Sequence, residues 1–150
     1  LVGLSVLIML ALLATLIVMF LNIDAMISTT GSQRFARVPI SVYFGWITIA
    51  TIANITAFFV SVGWGGSGVS AVVWTIVVIA AGLAVNALML LRHRNFAFAA
   101  VAVWAFAGIA VKRIGEGTPE GPGVLIAAIV AGVALVVLGV VLAIRGRSVA

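Results

Sequence analysis

Tyr43, Trp46, Ala50 and Asn54 are the residues with the most to offer chemically. On a helix at 100° per residue with Tyr43 at zero, Trp46 falls at about −60°, Ala50 at about −20° and Asn54 at about +20°. One face then carries a phenol, an indole, a small gap and an amide. Aromatic walls, a cavity-making small residue and one polar group are what a pocket for an apolar small molecule needs. The same face also reads as a tight helix–helix seam with a Tyr/Trp anchor at the membrane interface. Spacing alone leans slightly towards the seam, and both readings stay open at this level.

Bond-making chemistry has less to work with. It needs a nucleophile with a base, paired carboxylates or a metal cluster. The chain has no cysteine, one histidine and three carboxylates. Asp24, Glu116 and Glu120 lie near or beyond the ends of apolar stretches, and His93 stands between Arg92 and Arg94. At a helix terminus His93 complements the dipole. No catalytic residue and no metal site are expected, and the chain reads as a non-enzyme. Mid-span polar residues are uncharged: Thr15, Thr48, Thr51, Asn54, Thr56, Thr75 and Asn86. An amide in hydrocarbon needs a partner or a wet cavity, and for Asn86 the expectation is a hydrogen bond between helices. Secondary transport would call for broken helices and charged coupling sites. The second apolar stretch has Gly45 but no mid-span proline.

The elements that carry these residues follow from composition. Hydrophobic types make up 65% of the 150 residues and charged types 7%, with a mean hydropathy of +1.43. A soluble domain carries about 25% charged residues, so this chain cannot cover a globule with polar surface, and disorder is excluded for the same reason. The chain is expected to be an integral membrane protein in contact with the lipid bilayer. A membrane core of about 30 Å takes about 20 apolar residues in a helix. Five stretches qualify: 1–21, 39–61, 69–91, 96–111 and 122–144. They are too long and too continuously apolar for strands. The expected fold is all-α, a polytopic transmembrane bundle of five helices in one membrane domain. The chain is apolar from Leu1, with no charged region ahead of it and no cleavage site after it. It therefore reads as the later part of a longer protein rather than as one opened by a signal peptide.

Arg34, Arg37, Arg92, Arg94, Arg145 and Arg147 fall on one side of a five-helix path, against Lys112 and Arg113 on the other. This bias places the arginine side and the C-terminus in the cytoplasm. The formal charge of +5 is read as serving topology or acidic lipid, not nucleic acid.

The segment Pro39-Ile-Ser-Val-Tyr43-Phe-Gly-Trp46-Ile-Thr-Ile-Ala50-Thr51-Ile-Ala-Asn54 resembles the last conserved helix of the TspO/MBR family, the tryptophan-rich sensory proteins related to the mitochondrial translocator protein. The shared pattern is Tyr-x-x-Trp-x-x-x-Ala-Thr-x-x-Asn with a proline upstream. Val103-Trp104-Ala105-Phe106-Ala107-Gly108-Ile109 is similar to a longer bacterial and archaeal branch. The resemblance implies a five-helix bundle in a prokaryotic plasma membrane that binds a hydrophobic ligand, such as a porphyrin or other tetrapyrrole, in a sensory role. Tyr43, Trp46, Ala50 and Asn54 would then line one wall of the pocket. On this alignment the second helix here corresponds to the family's fifth. The Trp/Pro-rich earlier helices are missing, and the pocket needs upstream helices, a second copy or another subunit to close it. The alternative is a structural accessory subunit of a larger membrane complex.

Overall fold

The computed structural model describes residues 2–26, 33–62, 71–116 and 121–147. They form five α-helices: α1 (Val2–Met26), α2 (Gln33–Ser61), α3 (Ala71–His93), α4 (Phe96–Glu116) and α5 (Gly121–Arg147). Among the described residues there is no strand. Each helix contains a segment long and apolar enough to cross a membrane: Gly3–Asn22, Arg37–Phe59, Val72–His93, Phe96–Gly115 and Pro122–Gly146.

Several helices outrun their apolar stretches. α1 continues past Asn22 and Asp24, and α4 runs through Lys112 and Arg113 to Glu116. A polar residue ends an apolar run without ending a helix, because the backbone bonds stay internal on both sides of the interface. α2 starts ahead of Pro39, which sits inside it. The missing proline N–H leaves one carbonyl of the preceding turn without its helical donor.

Helices consecutive in the chain run antiparallel, so the ends of α1, α3 and α5 meet the starts of α2 and α4. The backbone of α1 lies against α2 alone; α2 packs on α1 and on its other side against α4, with a slighter contact to α3, while α3, α4 and α5 touch one another. Ile79, Ala102, Phe106, Ala110, Val124, Ala128, Ala131 and Leu135 form the core of that three-helix part. Alanines predominate because lipid is as apolar as leucine. Helices in a membrane gain by close backbone approach and not by removing apolar area from water. A second cluster joins α1 and α2 to α4 through Leu16, Phe20, Phe44, Ile47 and Phe98. In it Phe20 and Phe44 lie 5.6 Å apart between ring centres, and Phe44 meets Phe98 edge-on at 4.9 Å. Leucines and valines on the outer faces, among them Leu7, Val18, Val130 and Val137, are exposed, as suits side chains that meet acyl chains.

The arginine-rich end is tied by polar contacts. Arg37 donates to the His93 carbonyl at 2.9 Å and lies over the Phe20 ring, whose edge contact with His93 spans 5.4 Å. α3 and α4 join through Arg94 and Asn95 only. Arg94 takes a left-handed conformation, φ 51°, and its N–H bonds the Leu90 carbonyl at 3.2 Å, closing α3. Asn95 caps α4: its Oδ1 accepts from the Phe98 N–H at 3.1 Å. Its Nδ2 donates to the Ser41 hydroxyl at 2.8 Å, and both residues are buried.

Candidate functional site

The buried line of α2 is Ser41, Phe44, Ile47, Thr48 and Thr51. By helical register the stripe Tyr43, Trp46, Ala50 and Asn54 lies roughly 120° round the helix from that line. Tyr43 is 47% exposed and Trp46 55% exposed, whereas Ala50 and Asn54 are half-buried. The two rings are thus on the outside of this chain, one turn apart, and the amide is on the inner edge of the stripe, next to α1. Asn54 donates from Nδ2 to the Ala50 carbonyl at 3.0 Å and accepts from the Ser5 hydroxyl at 3.4 Å. The structure therefore brings Ala50, Asn54 and Ser5 together at the α1–α2 seam. It places Tyr43 and Trp46 where lipid, ligand or another protein must cover them. Trp104, in the second segment with a family likeness, is 75% exposed on α4.

The hollows described on this surface lie elsewhere. One apolar groove of about 400 Å³ runs between α4 and α5 near the arginine end, with Leu90 of α3 at its floor. A second, of about 420 Å³, continues it towards the other end. None of the four stripe residues lines either groove.

Asn54 meets the expectation of links between helices through Ser5, and Thr15, Thr48, Thr51, Thr56 and Asn86 differ from it. Thr15, Thr48, Thr51 and Thr56 donate to the carbonyl four residues back in their own helix, at 2.7–2.9 Å. Asn86 does the same with Gly82 at 2.8 Å. That carbonyl is one turn away and costs no helix–helix alignment, so it captures the donor first. Asn86 is 1% exposed, and its Oδ1 has no hydrogen-bond partner. An orphaned buried acceptor costs about 1–3 kcal/mol. Asn86→Leu is therefore expected to match or exceed the parent in resistance to thermal unfolding in detergent. A fall of several degrees would show that the amide is satisfied in the membrane.

Among the described residues no group of three His, Cys, Asp or Glu gathers to hold a metal. Sequence reasoning missed the Asn95–Ser41 pair and the close packing at Gly45. A polar residue directly after a basic helix end and before Phe96 was the available signal for the cap. Nothing in the sequence pointed to Ser41.

Comparison with known proteins is decisive at family level. The family model described as TSPO-like protein matches residues 1–142, all of α1 to α4 and most of α5, well beyond the Pro39–Asn54 segment. No curated protein matches, and no solved structure does.

Proposed function

The chain belongs to the TSPO-like protein family, and from that premise we propose that it is an integral membrane binding protein for a flat apolar ligand, such as a porphyrin. It makes and breaks no bond in that ligand and acts as a sensor. The observation that carries this reading is the outward aromatic stripe of α2. Two exposed rings one turn apart offer a stacking surface of the kind a planar ligand takes. Ala50 leaves room beside them. Asn54, after its bonds to Ala50 and Ser5, keeps one N–H and one lone pair for a ligand. A second copy of the chain or another subunit supplies the opposite wall, and the arginine-rich end faces the cytoplasm of a prokaryotic plasma membrane.

Fluorescence titration of the detergent-solubilised protein with protoporphyrin IX tests the wall. Saturable quenching is expected, with a smaller amplitude in Trp46→Phe. Replacing Trp46 by Leu and Asn54 by Leu together removes a stacking term and a hydrogen bond, each about 0.5–1.5 kcal/mol, and weakens binding about tenfold. Trp104→Phe leaves the affinity unchanged. Equal affinity for the double variant and the parent excludes this stripe as the site.

A structural subunit is favoured by the same outward phenol and indole, which suit a protein–protein seam as well as a ligand. That reading requires copurification of a stoichiometric partner from native membranes and no saturable quenching by the chain alone.

A further inference from the structure

We propose that the groove between α4 and α5 holds an acyl chain of an anionic phospholipid whose phosphate is gripped by Arg94. The groove is separate from the α2 stripe. Its walls combine the small residues Ala99, Ala100, Gly139 and Ala143 with leucines and valines of the three helices, and Phe96 lies at the arginine end. Small residues there open a channel of about 400 Å³ where larger ones would close it. Val103 and Val136 also line the adjoining groove, which continues to Val111. From Phe96 to Val111 the channel spans about 22 Å at 1.5 Å per residue. One leaflet contributes only about 15 Å of hydrocarbon, so the channel is long enough for a whole acyl chain.

The headgroup end fixes the chemistry of the occupant. Arg94 follows directly on the α3 end that supplies Leu90 and precedes Phe96, both groove residues. Its Nη1 donates to the Leu142 carbonyl at 2.6 Å, one residue from Ala143. A Cβ on Gly146 would lie 3.8 Å from that nitrogen. The guanidinium therefore bridges from the α3–α4 turn to the last turns of α5, across the mouth of the groove. Arg94 is exposed, so the other N–H groups of its fork meet the interface, in the geometry that suits a phosphate. By register Arg147 follows Ala143 by one turn on α5.

Orientation by positive charge needs arginines at this end but no particular position for any of them. Arg94 is held in position all the same, and in a left-handed conformation, φ 51°, that a non-glycine residue adopts only at a cost. Glu116 ends α4 at the opposite end of the bundle, and Asp24 lies near the end of α1, whose backbone packs on α2 and not on the α4 and α5 that form the groove.

Native mass spectrometry of the purified full chain tests this. The protein is mixed with equal amounts of phosphatidylglycerol and phosphatidylcholine bearing the same acyl chains. Retention of phosphatidylglycerol is expected to exceed that of phosphatidylcholine at least fivefold. Arg94→Gln should cut this preference about fivefold, the effect of one interfacial arginine. Arg145→Gln removes the same charge from the far side of α5 by register and should leave the preference intact. Ala143→Phe fills the mouth at an exposed position and should reduce retention of both lipids. Glycerol 1-phosphate should not compete. Equal losses from Arg94→Gln and Arg145→Gln, undiminished retention in Ala143→Phe, or displacement of lipid by glycerol 1-phosphate would each overturn the proposal.

Discussion

Asn95→Ala will destabilise the protein by about 2–4 kcal/mol, the sum of a lost helix cap and a stranded hydroxyl. Asn95 is 4% exposed and Ser41 fully buried. One amide serves both ends of the link: its oxygen accepts from the Phe98 N–H at 3.1 Å, and its nitrogen donates to Ser41 at 2.8 Å. Truncation removes the acceptor at the N-terminus of α4, where the first N–H groups have no helical partner. It also leaves the Ser41 oxygen in an apolar interior. The loss is measured by denaturant titration of the detergent-solubilised protein followed by circular dichroism. A double-mutant cycle with Ser41→Ala isolates the pair. With the hydroxyl already gone, Asn95→Ala costs only its cap, about 1 kcal/mol. Strictly additive losses from the two substitutions would mean that the α2–α4 link contributes nothing.

Gly45→Leu is expected to cost about 3 kcal/mol or more by forcing α2 away from α4. A Cβ at position 45 would stand 3.1 Å from the Phe98 carbonyl oxygen, 3.2 Å from Val101 Cβ and 3.4 Å from Phe98 Cα. Two of these three atoms are backbone, so relief requires movement of a helix and not of a side-chain tip. Gly45→Ala sets the same clash against a gain of about 1 kcal/mol in helix propensity and should fall between the parent and the leucine variant. Gly108 on α4 provides the contrast, because nothing lies within 4 Å of a Cβ built there. Gly108→Ala should be neutral or stabilising by up to about 1 kcal/mol. Should the alanine variants at 45 and 108 unfold at the same denaturant concentration, the close approach of α2 and α4 does not limit stability.

The Phe98 neighbourhood thus carries both large effects. Its N–H is capped by Asn95, its carbonyl faces Gly45, and its ring meets Phe44 edge-on in the cluster that reaches α1. The stripe proposed for ligand sits on the same helix as Gly45 but on the other side. Rigid packing of α2 on α4 is what holds Tyr43 and Trp46 at fixed angles on the outer surface.

Five helices could be read from residue types alone, because a span in hydrocarbon must satisfy every peptide group internally and a continuous run of about 20 apolar residues leaves no other solution. Tyr43, Trp46, Ala50 and Asn54 could likewise be placed on a common face, since helical spacing follows from local geometry. Helix ends were less legible: the charges at Lys112 and Arg113 mark where the apolar run stops, while α4 goes on to Glu116. The pairing of Ser41 with Asn95 joins residues 54 positions apart, and no local pattern encodes it.

Which way the aromatic face points was decided by packing. In water, an apolar stripe must turn inward and the alternation of polar and apolar residues betrays it. In lipid, the outside is as apolar as the core, so Val18 and Leu135 look alike in sequence although one is exposed and the other 1% exposed. Small residues and single hydrogen bonds choose the contacts instead. Gly45 admits α4, Ser5 meets Asn54, and Tyr43 and Trp46 are left to face whatever the bundle does not itself provide.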